Sequence, residues 1–336
     1  MTGRLTLLLT TPRVAPGLLS RQAWHALEAA TCVLAADPDA GQASGIRATG
    51  MQVGRLDEEP AGAALVRLAR DQRVVWLVSD HGDLGLTDAV AAEVSRTARP
   101  PEVELLVGSH DVPGARLLDL VAVMDRLRSP GGCPWDAEQT SASLLPYLLE
   151  ETYELIEAVE SGDLAHVREE LGDVLLQVAF QARVAAEDPG HPFDIDDVAA
   201  GIVAKLVRRH PHVFGDVPAE SAERVAHNWE QIKAVEKAGR TSVLDGIPAG
   251  MPALARAEKV LGRLERAGHA EAAAELAAEV AGGEEGLGAE LLGLVRTARA
   301  RGIDPEAALR VALRRVEAKV RAAEAARVSV LRSERV

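Results

Sequence analysis

Two short acidic blocks, Glu150-Glu151-Thr152-Tyr153-Glu154 and Glu169-Glu170-Leu171-Gly172-Asp173, carry the side chains best placed to do chemistry. On an α-helix, residues three apart share a face, so Glu151 projects with Glu154 and Glu170 with Asp173. Four carboxylates converging from two helices make a nest for a hard divalent cation, Mg²⁺ first and Mn²⁺ as a substitute. A di-iron carboxylate centre is the nearest chemical rival, but it needs Glu-x-x-His motifs. No Glu in this chain is followed three residues later by His; Asp163-Leu164-Ala165-His166 comes closest, at a helix start. Either acidic block alone reads as a solvated helix face. Two matching blocks, each beside an apolar stripe, favour a site.

Those acids need two helices to position them. Leu148, Thr152, Leu155, Ile156 and Val159 form one stripe at helical spacing, with Glu151 and Glu154 on its flank. Leu164, Val167, Leu171, Val174, Leu175 and Val178 form the second, with Glu170 and Asp173 on the equivalent flank. If the stripes pack together, the acids meet at one edge of the seam. Ser161-Gly162-Asp163 between them reads as a helix stop followed by an N-cap. So short a link makes the helices antiparallel neighbours. Gly172 inside the second helix predicts a close approach there by metal, phosphate or another helix.

Around this pair the chain divides into three stretches, 1–110, 115–262 and 263–336. In the first, Leu5–Leu9, Cys32–Ala35, Val74–Val78 and Val103–Val107 read as buried strands. They alternate with helical stretches near Leu18–Ala30, Ala61–Arg70 and Thr87–Thr97, which predicts an α/β layer with a largely parallel sheet. The turn after the first strand, Thr10-Thr11-Pro12-Arg13-Val14-Ala15-Pro16-Gly17, has one late glycine and two prolines, unlike a nucleotide-binding loop. The second stretch looks all-helical, and the third, rich in Ala, Glu and Arg, also reads as helices. Ile303-Asp304-Pro305-Glu306 is a helix start with Asp as N-cap.

The composition restricts partners. With 51 Asp and Glu against 37 Lys and Arg in 336 residues, nonspecific nucleic-acid binding is not expected. Aromatics at 3% leave few stacking platforms for single strands. Cys32 and Cys133, the only cysteines, fit a reducing cytosol. The Leu5–Leu9 run is too short for a signal h-region, and no membrane segment is expected. The expectation is a cytoplasmic protein.

Four acids beside a core seam gain a purpose if a polyanion arrives with the metal. Lys205 and Arg209 lie i, i+4 on a helix predicted over Asp194–Arg209, with Arg208 beside them. His210-Pro211-His212 breaks that helix, and Trp229 and Lys233 share a face of the next, near Ser221–Lys237. Cations for terminal phosphates and an aromatic for a base are what a nucleoside triphosphate requires.

Five ordered motifs resemble those of the MazG nucleoside triphosphate pyrophosphohydrolases. They are Gly132-Cys133-Pro134-Trp135-Asp136, Leu149-Glu150-Glu151-Thr152-Tyr153-Glu154, Glu170-Leu171-Gly172-Asp173-Val174-Leu175, Arg208-Arg209-His210-Pro211-His212-Val213-Phe214 and Trp229-Glu230-Gln231-Ile232-Lys233. The resemblance runs from about Leu117 to Gly268. It implies an all-α, Mg²⁺-dependent domain that cleaves NTPs or dNTPs to nucleoside monophosphate and pyrophosphate, as a homodimer whose helices form a four-helix bundle. By motif, Glu151, Glu154, Glu170 and Asp173 become the metal ligands, with Glu150 in the catalytic set behind them. Trp135, Lys205, Arg209, Trp229 and Lys233 become nucleotide contacts.

Residues 1–110 resemble, more weakly, the first half of a tetrapyrrole methylase domain without its glycine-rich loop, and are expected to be non-catalytic. Residues 263–336 are expected to be a degenerate all-α repeat: Leu287-Gly288-Ala289 occupies the place of Leu171-Gly172-Asp173, and Gly286 that of Glu170. The expected whole is a multidomain chain, a truncated α/β domain followed by two helical repeats of which one is active. Two rivals remain at this stage. One is a helical assembly or regulatory protein that keeps the fold after activity has lapsed. The other is an S-adenosylmethionine-dependent methyltransferase. An intact acidic quartet argues against the first, since uncompensated acids beside a core seam are costly. The first loop argues against the second.

Overall fold

A computed structural model of the chain describes residues 3–39, 41–56, 61–79, 83–215, 221, 224, 225, 228, 229, 232, 236, 241–269 and 283–333. The chain forms two compact units, Met1–Ala204 and Lys205–Val336.

The first unit opens on a five-stranded, all-parallel sheet of order β3-β2-β4-β1-β5. The strands are β1 (Arg4–Leu9), β2 (Cys32–Ala35), β3 (Gly54–Arg55), β4 (Arg73–Leu77) and β5 (Glu102–Val107). Side chains alternate across the sheet with period two, so each strand feeds two cores. Leu8, Val33, Val75, Leu77 and Leu106 pack on one side with Ala23, Leu27 and Ile46 of α1 (Arg21–Ala29) and α2 (Gly41–Ala48). Leu5, Leu7, Leu34, Val74 and Trp76 pack on the other with Leu65, Val66, Leu86 and Val90 of α3 (Ala61–Leu68) and α4 (Leu86–Arg96). Four of the five strands and three of the four helices coincide with the expected ones. The loop after β1, expected to lack a phosphate cradle, is a polar clamp. Thr11 Oγ1 donates to Asp111 at 2.5 Å, and Arg13 pairs with Asp111 and with Asp119, each at 2.6 Å.

Asp119 stands in the first turn of α5 (Leu117–Arg128), which leads into the short α6 (Pro134–Glu138). Then come α7 (Leu145–Ser161) and α8 (Leu164–Ala185), which pack along their length. Their link forms as expected. Gly162 closes α7 in the left-handed region at φ 79°, where a Cβ would be strained, and the Asp163 carboxylate accepts from Ala165 N at 2.9 Å and His166 N at 3.3 Å. Met124, Leu144 and Phe180 form the small core joining α5, the start of α7 and α8.

Helix α9 (Ile195–Arg209) spans the division between the units and is followed by α10 (Pro211–Phe214). The second unit contains α11 (Ala253–Arg266), α12 (Gly283–Ala300) and α13 (Pro305–Ser333). Leu261 and Val295 are the buried centre of α11 and α12, and Arg299 reaches across to Glu258 and Glu265. Asp304 caps α13 as expected, accepting from Glu306 N at 2.9 Å and Ala307 N at 3.1 Å. No described helix is long and apolar enough to cross a membrane.

Candidate metal and nucleotide site

Packing of α7 against α8 places the acids differently from the flank position that their stripes suggest. On α7 the buried or half-buried line is Leu144, Leu148, Glu151, Leu155 and Ala158; on α8 it is Glu170, Asp173, Val174, Gln177 and Phe180. Glu151, Glu170 and Asp173 thus belong to the inward line itself. Of the apolar stripe predicted on α8, Leu164, Leu171, Leu175 and Val178 are exposed, while Val167 and Val174 are half-buried. Both lines satisfy helical periodicity, and the approach of the partner helix selects between them.

Carboxylate oxygens of Glu151, Glu154 and Glu170 all lie within 4.8 Å of one another. Asp173 stands outside that tight group but acts on it. The Glu151 carboxyl is held above its ordinary range, first by loss of solvent and then by the charges of Asp173, Glu154, Glu170 and Glu150. Glu150 itself is exposed.

Glu170 is only 6% exposed. Its Oε1 lies 2.9 Å from Nε2 of His166, one turn earlier, whereas its Oε2 is buried with no hydrogen-bond partner among the described residues. A buried carboxylate oxygen left unpaired costs about 1–3 kcal/mol or more, and proteins rarely retain such a group without use. A divalent cation shared with Glu151 and Glu154 satisfies that oxygen and offsets the crowding, and an all-oxygen donor set suits Mg²⁺ or Mn²⁺. The residues therefore fit a hard divalent metal. The role of His166 escaped sequence reasoning, because the i, i+4 spacing to Glu170 becomes informative only once Glu170 is known to be buried.

Gly172 faces open space within this chain: a Cβ there would meet no described atom within 4 Å. The neighbouring helix that its sequence position suggested is not supplied by the described residues.

Trp135, on α6, is 49% exposed and meets the rings of Tyr147 and Phe180 edge-on, at centroid distances of 5.8 and 6.5 Å. Tyr147 precedes Glu151 by four residues on α7, about 6 Å of helix rise, so the aromatic group adjoins the acids along one helix.

Within the second unit two of the basic residues meet around one acid. Arg208 and Arg209 both hold Glu236, at 2.7 and 2.5 Å, and the Arg209 guanidinium lies 5.4 Å above the ring of Trp229. Hydrogen bonds from Arg209 and then Arg208 pull the Glu236 carboxyl down to about 2. Glu236 was not singled out in the sequence, where nothing separates it from other helix-surface acids. Lys205 is exposed, and Lys233 lies outside the described residues.

Known proteins resemble the chain across this region. The MazG nucleotide pyrophosphohydrolase domain matches residues 139–214, which hold the four acids together with Lys205 and Arg209. The chain is 42% identical over 212 residues to the nucleoside triphosphate pyrophosphohydrolase/pyrophosphatase MazG of Thermotoga maritima, covering 59% of this chain and 81% of that protein. It is 52% identical over 166 residues to the nucleoside triphosphate pyrophosphohydrolase of Mycolicibacterium smegmatis, covering 49% of this chain and 50% of that one. An uncharacterized 26.1 kDa protein of Streptomyces cacaoi is 51% identical over 245 residues, 73% of this chain and 98% of its own length. The match thus spans about half the length of the mycobacterial relative and most of the other two. With the acidic pair of helices inside the matched domain and four-fifths of the Thermotoga protein covered, the chain belongs to the MazG nucleotide pyrophosphohydrolase family, hydrolases that act on acid anhydrides.

Proposed function

We propose that this chain hydrolyses nucleoside triphosphates, ribo or deoxy, to nucleoside monophosphate and pyrophosphate with Mg²⁺ held by Glu151, Glu154, Glu170 and Asp173. The observation that carries the reading is the knot of three carboxylates within 4.8 Å, one of them buried with an oxygen that has no partner among the described residues. When bound, the cation neutralises the triphosphate, polarises the phosphoryl group under attack and acidifies water.

The side chains of the chain do the rest. A carboxylate oxygen of the acidic group that is not engaged with the ion accepts the proton of the attacking water. Glu151, whose carboxyl is raised by burial and then by the charges around it, belongs to that group. Lys205, Arg209 and Lys233 stabilise charge on the departing pyrophosphate. Trp135 and Trp229 offer flat apolar faces to the nucleoside. Glu150, exposed beside Glu151, adds to the local negative potential.

The enzyme acts as a homodimer in which acidic helices from two copies complete a four-helix bundle. Exposed Leu149, Tyr153, Leu171, Leu175 and Val178 on α7 and α8, and the open space over Gly172, support that assembly. Residues 1–110 and 263–336 flank a catalytic domain of 115–262, and neither is needed for chemistry. The protein works in the cytoplasm and takes neither nucleic acid nor membrane as partner.

The test is an assay of the purified chain with Mg²⁺ against a panel of canonical, deoxy and oxidised triphosphates, recording pyrophosphate and phosphate separately. Pyrophosphate release that stops on chelation and in Glu154→Ala or Asp173→Ala supports the reading. Orthophosphate as the first product, or normal turnover in either variant, overturns it.

A further inference from the structure

We infer that Arg128 is the residue that positions Trp135 against the substrate. The inference rests on the reading of Trp135 as a nucleotide contact and goes beyond it by naming what holds the ring in place.

Arg128 ends α5, and its side chain is 4% exposed. An arginine so deeply buried is rare unless its donors are satisfied, and here it makes four hydrogen bonds. Its Nη2 and Nε donate to the two carboxylate oxygens of Glu187, at 2.6 and 3.2 Å. Its Nη1 donates to the carbonyl oxygens of Asp136 and Gln139, at 2.5 and 3.1 Å. These carbonyls belong to the end of α6, where a helix leaves acceptors without internal partners and favours a cation. The same guanidinium lies 5.8 Å from the centre of Phe180, the ring that Trp135 meets edge-on. Arg128 therefore grips both the backbone that carries Trp135 and an aromatic wall that the indole leans on.

Local bonds give α6 little independent support: Gln139 Nε2 donates to the Trp135 carbonyl at 2.9 Å, and Ser143 Oγ to Gln139 Oε1 at 2.7 Å. A helix of five residues is far below the length that is stable alone. The loop before it is folded tightly onto the end of α5: Cys133 N donates to Leu127 O at 2.7 Å, and a Cβ on Gly132 would fall 2.2 Å from that oxygen. The position of α6 is thus referred to α5, and through Glu187 to α8, which also carries Glu170 and Asp173. Arg128 is too enclosed, and too well paired with Glu187, to meet a phosphate itself. Its contribution is to hold the exposed indole face in one orientation beside Tyr147, a turn of α7 away from Glu151.

A contact made equally in ground and transition states changes KM and leaves kcat alone. The test is a double-mutant cycle of Arg128→Met, Trp135→Ala and the pair. It reads kcat and KM for a triphosphate that the wild type turns over, together with calorimetric binding of its non-hydrolysable imido analogue. Each single variant should raise KM and the analogue's dissociation constant by about tenfold, within the range of a lost aromatic–base contact, with kcat within about twofold. The double variant should be no worse than Trp135→Ala. Glu187→Gln, which loosens the guanidinium without emptying its place, should show the same KM-selective change at smaller size, and keeps the test open if Arg128→Met fails to fold. Effects that multiply in the double variant, or a normal KM in both Arg128→Met and Glu187→Gln beside a raised KM in Trp135→Ala, overturn the inference while leaving Trp135 a contact. A normal KM in Trp135→Ala removes the contact itself and the inference with it.

Discussion

Glu170→Gln should make the metal-free protein more stable and at the same time blind to metal. Glutamine keeps the shape of the side chain and an acceptor for His166, 2.9 Å away, but replaces the unpartnered Oε2 with a neutral donor among acids. Two full charges at the 4.8 Å that bounds this group repel by about 3.5 kcal/mol at an effective dielectric of ~20. Glu154 is exposed and Glu151 half-exposed, so solvent screens most of that, leaving relief of about 1 kcal/mol. For a unit of this size such a gain raises Tm by roughly 2–4 °C. The wild type, in contrast, should gain about 2.7 kcal/mol from a cation at a hundredfold excess over its Kd, a shift that Glu170→Gln should lose together with turnover. Scanning calorimetry in EDTA and then in Mg²⁺ or Mn²⁺ should therefore show the two proteins exchanging rank. A lower metal-free Tm for the variant, or an undiminished rise on adding cation, would refute the placement of Glu170 in a metal nest.

Lys205→Ala and Arg209→Ala should each lower kcat/KM by about 10–100-fold, the range for one lost charge-assisted hydrogen bond. Arg208→Ala, which removes the more exposed of the two guanidinium groups on Glu236, should cost less than Arg209→Ala; equal losses at all three positions would mean a diffuse basic patch. Truncation after Gly268 removes α12 and α13, with the Val295 packing and the Arg299 pairs to Glu258 and Glu265, so Tm should fall while pyrophosphate release persists. Loss of activity in a truncated protein that remains folded would place catalytic residues within 269–336. Because the folded state holds the Glu151 carboxyl above its ordinary 4.5, it binds more protons than the unfolded chain from that pH upward. Urea-unfolding stability in EDTA should therefore fall as pH rises through that window, and the slope should flatten in Glu151→Gln; an unchanged slope would assign it to other groups.

Sequence alone determined the α/β layer and the antiparallel pair of acidic helices, because each rests on a local signal. Short, nearly continuous apolar runs mark β1, β2, β4 and β5, and the Gly162–Asp163 stop and cap mark the turn between α7 and α8. The elements missed had weak signals: α2 carries the polar, glycine-containing Gly41-Gln42-Ala43-Ser44-Gly45, and β3 is two residues long. Tertiary structure decided which arc of each acidic helix faces its partner. A 3.6-residue period is satisfied equally by the line through Leu171, Leu175 and Val178 and by the line through Glu170, Val174 and Gln177, so the pattern names candidate faces without choosing one. The choice is made by the helix that packs there, and it buried Glu170, drew Glu151 and Glu154 around it and left the leucines outside. Likewise, no spacing connects Arg128 to Glu187 across 59 residues, or Arg208 to Glu236 across 28. Such pairs exist only where folding brings distant turns together, and the charges then select one another by distance rather than by order along the chain.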